Sequence, residues 1–498
     1  MTDFVNKTHN IIERGYAHFK SHKSRLAFIT EEETYTYEEV FQVLENLNYQ
    51  FSKMNLLKGD SVLILIPIGK ELVFILLALM KIGIIPILID PRLKKSLWKE
   101  LIIKSKPKMI ISHSQLIKWH WFFLWSWRFQ FYSVGNKAFG AKQLTITKDF
   151  KIKTPLTTLP SMLGEDILIK TLTSGTTGSP KVIHRNFSIL ESQQRLTCKY
   201  LPELKHDIHL SLYGIGILQS FIHGSTTVII NNYHIDNIIQ KITQHKVTRL
   251  SIPPGILCDL MFYCEEKKIR LSSLKCILTG GAPIPLWFRK KMKSLFPMSS
   301  CYIIYGSTEC EPISKWDISN ELDENIIGYP VGKVIDEITL IKEKVSEIKG
   351  QNIFKISLKG ENCATEINCN ELNIGDLASF DSDGNLWLLG RSSEIIDDIP
   401  PAYIEEQIER IDCIKRSIFL KNKGENLLII ECFNFTENTI QLRSEDIKNI
   451  EEIFKDVGLG NVSIYKTNKL PVDPRHLWKI QRKEISSFIN QYCHDKVN

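Results

Sequence analysis

The sequence predicts an α/β protein: a large N-terminal domain of parallel or mixed sheets covered by helices, with a small β portion, then a small α+β C-terminal domain. Three observations carry that expectation. At 498 residues the chain is long for one compact core and reads as at least two domains. Between Ser61 and Ile89 two continuous apolar runs flank an apolar helical segment, the pattern of parallel strands covered on both faces. Past Arg391 the pattern shifts to a short helix, a hairpin, a second helix and a strand, giving domains 1–390 and 391–498.

Taken in order, residues 1–60 read as helices around a short strand, with Thr34-Tyr35-Thr36-Tyr37 before a helical run from Glu38 to Phe51. A βαβ unit follows: strand Ser61 to Ile66, helix Lys70 to Ile82, strand Ile84 to Ile89. Residues 117–132 hold four tryptophans and four phenylalanines. Such a run suits a buried element packed on the sheet, with a surface for membrane or acyl chain as the alternative. Leu210 to Tyr213 and Ser225 to Ile230 read as strands around a helix from Gly216 to His223, and Ile235 to His245 as another helix. Cys276 to Pro283 and Tyr302 to Gly306 are each a strand entering a glycine turn. From Ile326 to Trp387 the strands read as short and antiparallel, separated by polar turns. Beyond the boundary, Ala402 to Ile411 places Ile404, Ile408 and Ile411 on one helical face. A hairpin turning at Lys423-Gly424, a helix Glu445 to Phe454 and a strand Val462 to Tyr465 complete the chain.

Composition excludes several classes. Hydrophobic content of 43% and charged content of 24% are those of ordinary globular protein. A net charge of +7 over this length, with no basic cluster interleaved with aromatics, does not point to nucleic acid. The apolar stretch from Ser61 to Asp90 is broken by Pro67, Gly69, Lys70, Glu71 and Lys81, so it does not read as a membrane span. Met1-Thr2-Asp3-Phe4 lacks a secretory layout, and eleven scattered cysteines suggest free thiols in a reducing cytoplasm. The closest cysteine pairs lack zinc spacing and a nearby histidine.

The stretch from Ile169 to Ile183 organises the rest. Two strand-like apolar ends enclose small or hydroxylated residues, and Lys181 closes the run. Small side chains leave backbone N–H groups free to face an anion, and Gly175 and Gly178 allow a tight cradle. Thr173, Ser174, Thr176 and Thr177 offer hydroxyls to phosphate oxygens, and Lys181 offers a mobile positive charge. The spacing is not that of a Walker loop, because the lysine follows Ser179-Pro180 and Val182 begins a strand. A soft surface loop has the same composition, but it does not explain the flanking apolar runs or the terminal lysine.

This stretch resembles the phosphate loop of the adenylate-forming superfamily, which comprises acyl-CoA synthetases, peptide-synthetase adenylation domains and luciferases. The resemblance extends over nearly the whole chain, with five motifs in the same order. It implies ATP and Mg²⁺ as cofactors, a small carboxylic acid as substrate and a mobile C-terminal domain. Gly281, Ala282 and Pro283 would lie against a flat ring, although taken alone they read better as a plain β-turn. Tyr305-Gly306-Ser307-Thr308-Glu309 resembles the adenine and magnesium motif. It would put Tyr305 on adenine and Thr308 on the α-phosphate, with Glu309 and Thr177 on the metal, a carboxylate being apt for a hard dication. Asp376 matches the ribose position and Arg391 the ribose or phosphate contact. Pro471 to Ile480 resembles the segment carrying the adenylation lysine, here Lys479, with Lys483 the nearby competitor. A cation delivered there stabilises charge developing at the α-phosphate.

Two departures shape the functional expectation. Where the family has a hinge and then a glycine-rich loop for pantetheine, this chain has Glu394 and then Asp397-Asp398-Ile399-Pro400-Pro401-Ala402. Prolines remove donors, so adenylation is expected to survive while thiol transfer, and free CoA above all, is in doubt. The preferred acceptor is therefore a phosphopantetheine thiol on an acyl or peptidyl carrier protein, with CoA second. Ser211 to Gly216 contains no acidic residue to hold an α-ammonium, which favours a fatty or aromatic acid. The rivals are intramolecular capture of the adenylate to give a β-lactone, and a non-catalytic nucleotide- or acyl-binding relative.

Overall fold

A computed structural model describes residues 11–89, 95–117, 129–149, 162–173, 181–323, 325–364, 371–435, 438–439, 442–473, 477–487, 489–492 and 495–497. The chain divides into two compact units, residues 1–251 with 308–311, and residues 252–307 with 312–498. The architecture is the α/β one expected, with mixed sheets, covering helices and a smaller β-rich C-terminal part.

In the first unit, Thr36 caps the helix Tyr37–Ser52. Its hydroxyl accepts from the Glu39 amide while the Glu39 carboxylate accepts from the Thr36 amide, a capping box. The βαβ pattern is realised as Ser61–Leu65, Lys70–Lys81 and Ile85–Leu88, in a seven-stranded sheet. Its order is Ala141–Leu144, Gln130–Val134, Met109–His113, Ser61–Leu65, Ile85–Leu88, Ile167–Thr173, Lys181–Asn186. All of its pairings are parallel except the last. Strand Ser61–Leu65 is buried throughout: Val62 and Ile64 enter one apolar cluster, and Leu63 and Leu65 enter another on the opposite face. A second sheet runs Thr34–Thr36, Leu26–Ile29, Thr226–Val228, Ile208–Ser211, Arg249–Ser251. The aromatic run is seen only at its end, where Phe131 and Tyr132 are buried in Gln130–Val134; residues 118–128 lie outside the described residues.

In the second unit, Cys276–Gly280 pairs in parallel with Ser300–Tyr305, which pairs antiparallel with Ser314–Asp317. A Cβ on Gly280 would stand 2.1 Å from the Ile304 carbonyl oxygen, so no other residue fits between these strands as they are spaced. The strands between 326 and 391 are antiparallel as expected but not short. Ile338–Ile348 runs for 11 residues and Gln351–Gly360 for 10, in a five-stranded sheet. In Ile338–Ile348 lysines and glutamates interrupt the apolar run that marks a strand in sequence, because residues 341–345 are exposed on both faces. The hairpin Ile414–Asn422 and Glu425–Cys432 turns at Lys423 (φ +50°) and Gly424 (φ +88°). With Val462–Thr467 and Asp495–Lys496 it makes a four-stranded sheet, and its core is continuous with Leu377, Leu389 and Ile404 of the helix Pro401–Ile408.

Candidate functional site

In the first unit the expected phosphate loop is the connection of an antiparallel hairpin. Thr173 ends one strand and Lys181 begins the next, and the two are register partners. Ser174, Gly175, Thr176, Thr177 and Gly178 lie outside the described residues. The same hairpin supplies a side chain that sequence inspection missed. Half-buried Arg185, on the strand that leaves the loop, donates from Nε to the carbonyl oxygen of Thr308 at 3.0 Å. Glu309 and Glu311 both stabilise its charge, Glu311 the more strongly, while burial lowers its pKa. Burial also raises the Glu311 pKa, and Arg185 opposes that rise. Thr308 and Glu309 belong to this unit although both their flanks belong to the other, so Arg185 fastens the expected phosphate and metal contacts to the strand leaving the phosphate loop.

The donor chemistry suits magnesium. Glu309 is half-buried. Among the described residues no group of three histidine, cysteine, aspartate or glutamate side chains could cage a metal. One carboxylate, completed by water and substrate phosphates, is how Mg²⁺ is usually held. When bound with ATP, the ion would neutralise phosphate charge.

In the second unit three of the expected residues meet. Tyr305, at the end of its strand, donates its hydroxyl to Asp376 Oδ2 at 2.5 Å. Arg391 Nε stands 2.9 Å from Asp376 Oδ1, and the same guanidinium donates to the Ile374 carbonyl. Asp376 and Arg391 are register partners on Leu372–Phe380 and Leu386–Arg391. The strand can turn there because Gly375 takes φ +73°. Burial pushes the Asp376 pKa up, while Arg391, Tyr305 and Lys479 pull it down. Gly281 (φ +86°), Ala282 and Pro283 follow Cys276–Gly280 in a turn.

Lys479 sits at the end of a closed loop. The Asp473 amide donates to the Lys479 carbonyl at 2.7 Å, the Leu477 amide donates to the Asp473 carbonyl at 2.8 Å, and Val472 bridges Ile480. The residue as a whole is exposed, yet enough protein surrounds its ammonium for desolvation to lower the pKa. Arg391 lowers it further, and Asp376, Glu394 and Asp473 oppose. This cation therefore shares an electrostatic environment with the expected ribose carboxylate. Its competitor, Lys483, belongs to the helix Arg482–Ser487. Glu394 is tied elsewhere, 3.3 Å from Arg482 Nε, and Arg482 also pairs with buried Glu405. The expected pantetheine segment is a tight hairpin turn. Ile396 and Ile399 exchange both backbone hydrogen bonds around Asp397 and Asp398, each at positive φ, and Pro400-Pro401 opens the following helix.

The fold and these groups suit a nucleotide-handling α/β enzyme, with the residues expected at the phosphates at the ends of one hairpin and a carboxylate, a phenol and two cations in the second unit. A family model for the AMP-binding enzymes matches residues 16–344, and the chain belongs to that family of AMP-forming acyl ligases and synthetases. The family reaction is ATP-dependent formation of an acyl-adenylate. Over 410 residues the chain is 25% identical to the 2-succinylbenzoate–CoA ligase of Bacillus subtilis (strain 168), covering 76% of this chain and 79% of that protein. Its fold matches the anthranilate CoA ligase AuaEII bound to anthranoyl-AMP, with a TM-score of 0.80 at 16% identity over 97% and 98% of the two chains. It also matches the O-succinylbenzoate CoA synthetase of Bacillus subtilis bound to ATP and magnesium ion, with a TM-score of 0.74 at 20% identity over 95% and 98%.

Proposed function

We propose that the protein activates an aromatic carboxylic acid with MgATP and then passes the acyl group to a phosphopantetheine thiol. The observation that carries this reading is the clustering of Asp376, Tyr305 and Arg391 within electrostatic reach of Lys479. Asp376 would receive the ribose hydroxyls, Tyr305 would lie against adenine beside Gly281, Ala282 and Pro283, and Arg391 would steady ribose or phosphate. Thr173, Ser174, Gly175, Thr176, Thr177, Gly178 and Lys181 would cradle the phosphates. Thr308 would hold the α-phosphate, while Glu309 and Thr177 would hold Mg²⁺.

The carboxylate of the acid attacks the α-phosphorus, pyrophosphate leaves, and Lys479 stabilises the charge that builds on the α-phosphate oxygens. Residues 391–498 then turn about the segment near Glu394, the lysine withdraws, and the thiol displaces AMP. The absence of an acidic residue from Ser211 to Gly216 supports an acid without an α-amine. The relatives' own substrates, succinylbenzoate and anthranilate, support an aromatic one over a fatty one. CoA is the acceptor of those relatives, and Pro400-Pro401 is what keeps a carrier protein in contention.

The test is acid-dependent pyrophosphate release over aromatic and fatty acids, with hydroxylamine as acceptor and then with CoA or a loaded carrier protein. Turnover with an aromatic acid that CoA stimulates is expected. Release with hydroxylamine alone would favour intramolecular capture, and silence with every acid despite MgATP binding would favour a non-catalytic relative.

A further inference from the structure

We propose that Trp478 is the positioning residue that seats Lys479 for adenylate formation, and that undocking of its indole gates the second half-reaction. The inference rests on the reading of Lys479 as the adenylating lysine. Trp478 immediately precedes an exposed residue, yet it is itself only 4% exposed. Its Nε1–H donates to the Pro283 carbonyl at 2.9 Å. Its ring meets Phe288 edge-on at 5.3 Å between centroids and lies 6.0 Å from Trp287. On the other side the Arg416 guanidinium stands 4.9 Å from the ring centre, and Arg416 Nη1 donates to the Trp478 carbonyl at 3.2 Å.

Arg416 is fixed in turn. Its Nη2 meets Glu431 Oε2 at 2.5 Å, and that same oxygen accepts from the Leu470 amide at 2.9 Å, at the root of the lysine loop. The loop has no slack where it crosses the helix Pro254–Glu266, because a Cβ on Gly255 would stand 2.3 Å from the Leu477 carbonyl oxygen. Leu477 takes φ +53°.

These contacts straddle residue 390. Pro283, Trp287 and Phe288 precede it, and Arg416 and the lysine loop follow it. Any turn of residues 391–498 about Glu394 must break the indole hydrogen bond and strip the ring from Phe288. A buried tryptophan concentrates more contact energy in one side chain than any other residue type. The docked indole therefore weights the conformation in which Lys479 faces Asp376. A cavity of about 330 Å³ borders the loop, lined by Leu477 and Trp478 together with Phe262, Lys415, Phe433 and Lys469.

The experiment measures the two half-reactions separately in the full-length protein, for Trp478→Ala, Trp478→Phe and a Lys479→Ala control. Adenylation is read as pyrophosphate release with hydroxylamine, and transfer as thioester formation from supplied acyl-adenylate and CoA. In Trp478→Ala the adenylation kcat should fall on the order of 10²-fold, as for a misplaced catalytic group. Its KM for MgATP should move little, and transfer should not fall with adenylation. Trp478→Phe, which loses only the indole donor, should lie between. Equal losses in both half-reactions would mark Trp478 as a general packing residue and overturn the proposal. Wild-type adenylation by Lys479→Ala would overturn the assignment beneath it, a failure distinguishable from the first. A second measurement needs no acid or thiol: amides 477–481 should exchange hydrogen faster in Trp478→Ala, by more than amides of the sheet Ile414–Asn422 and Glu425–Cys432 do. Unchanged exchange would also refute the proposal.

Discussion

Replacing Arg185 with methionine isolates the contribution of one half-buried side chain to nucleotide binding. The substitution keeps most of the volume and removes the Nε–H bond to the Thr308 carbonyl, together with the cation that serves Glu309 and Glu311. A hydrogen bond with one charged partner is worth about 1.5–3 kcal/mol. If that loss is expressed as freedom of the Thr308-Glu309 segment, MgATP affinity should fall about 10- to 150-fold, at 1.4 kcal/mol per decade. Glu311, whose raised pKa Arg185 restrains, should titrate higher still in the variant. Calorimetric titration of MgATP, repeated with ATP in excess EDTA, separates the effect on the metal contact from the effect on the nucleotide. The weakening should be large with magnesium and small without it. Lysine at the same position should restore part of the affinity, since it keeps the charge but not the planar donor. Unchanged MgATP affinity in a folded Arg185→Met protein would refute the argument that this guanidinium holds the motif in place.

Three further outcomes follow from the same geometry. Asp376→Asn should raise the KM for ATP at least about tenfold and abolish any preference for ATP over 2′-deoxy-ATP, because a charged acceptor is worth more than a neutral one; steady-state kinetics with both nucleotides checks it. Gly280→Ala should destabilise the second unit by about 1–3 kcal/mol, the usual cost of overpacking, since its Cβ meets the Ile304 carbonyl oxygen; urea unfolding reports it. Glu409 accepts from the Tyr329 hydroxyl and the Ser417 amide, and burial pushes its pKa up from 4.5 to about 8. A carboxyl whose folded pKa is raised binds protons more tightly when folded, so its contribution is full below pH 4.5 and is lost as pH climbs towards 8. Glu409→Gln should therefore lose less stability than wild type between pH 5 and pH 8, and parallel unfolding curves at the two pH values would contradict it.

What the sequence disclosed, it disclosed locally. The hairpin around residues 174–180 was legible because two apolar runs bracket a segment too small and polar to be a strand. The helix Tyr37–Ser52 was legible as the run from Glu38 to Phe51, while the Thr36–Glu39 capping box that starts it came only with the structure. The long strands between 338 and 380 were underestimated because charged residues break their apolar runs, most of all in the exposed middle of Ile338–Ile348. The site motifs Tyr305, Asp376, Arg391 and Lys479 were found by resemblance, but their mutual bonds were invisible: Tyr305 and Asp376 are 71 positions apart. Arg185 carries no local sign of its task, since the carbonyl it holds lies 123 residues away. Trp478 likewise reads as one more residue of a motif until its partner, 195 positions back, is placed beside it.

The four residues Thr308–Glu311 belong to a unit whose remaining residues all come before Ile252. Dividing the gene after Ser251 would therefore give two fragments, neither whole: the first would lack the carboxylate expected to hold magnesium, and the second would carry it away from the arginine that orients it. Complementation between two such fragments should be poor, and a circular permutant opened near residue 251 should be preferred for splitting experiments. Insertions aimed at the 306–312 segment should be among the least tolerated in the chain.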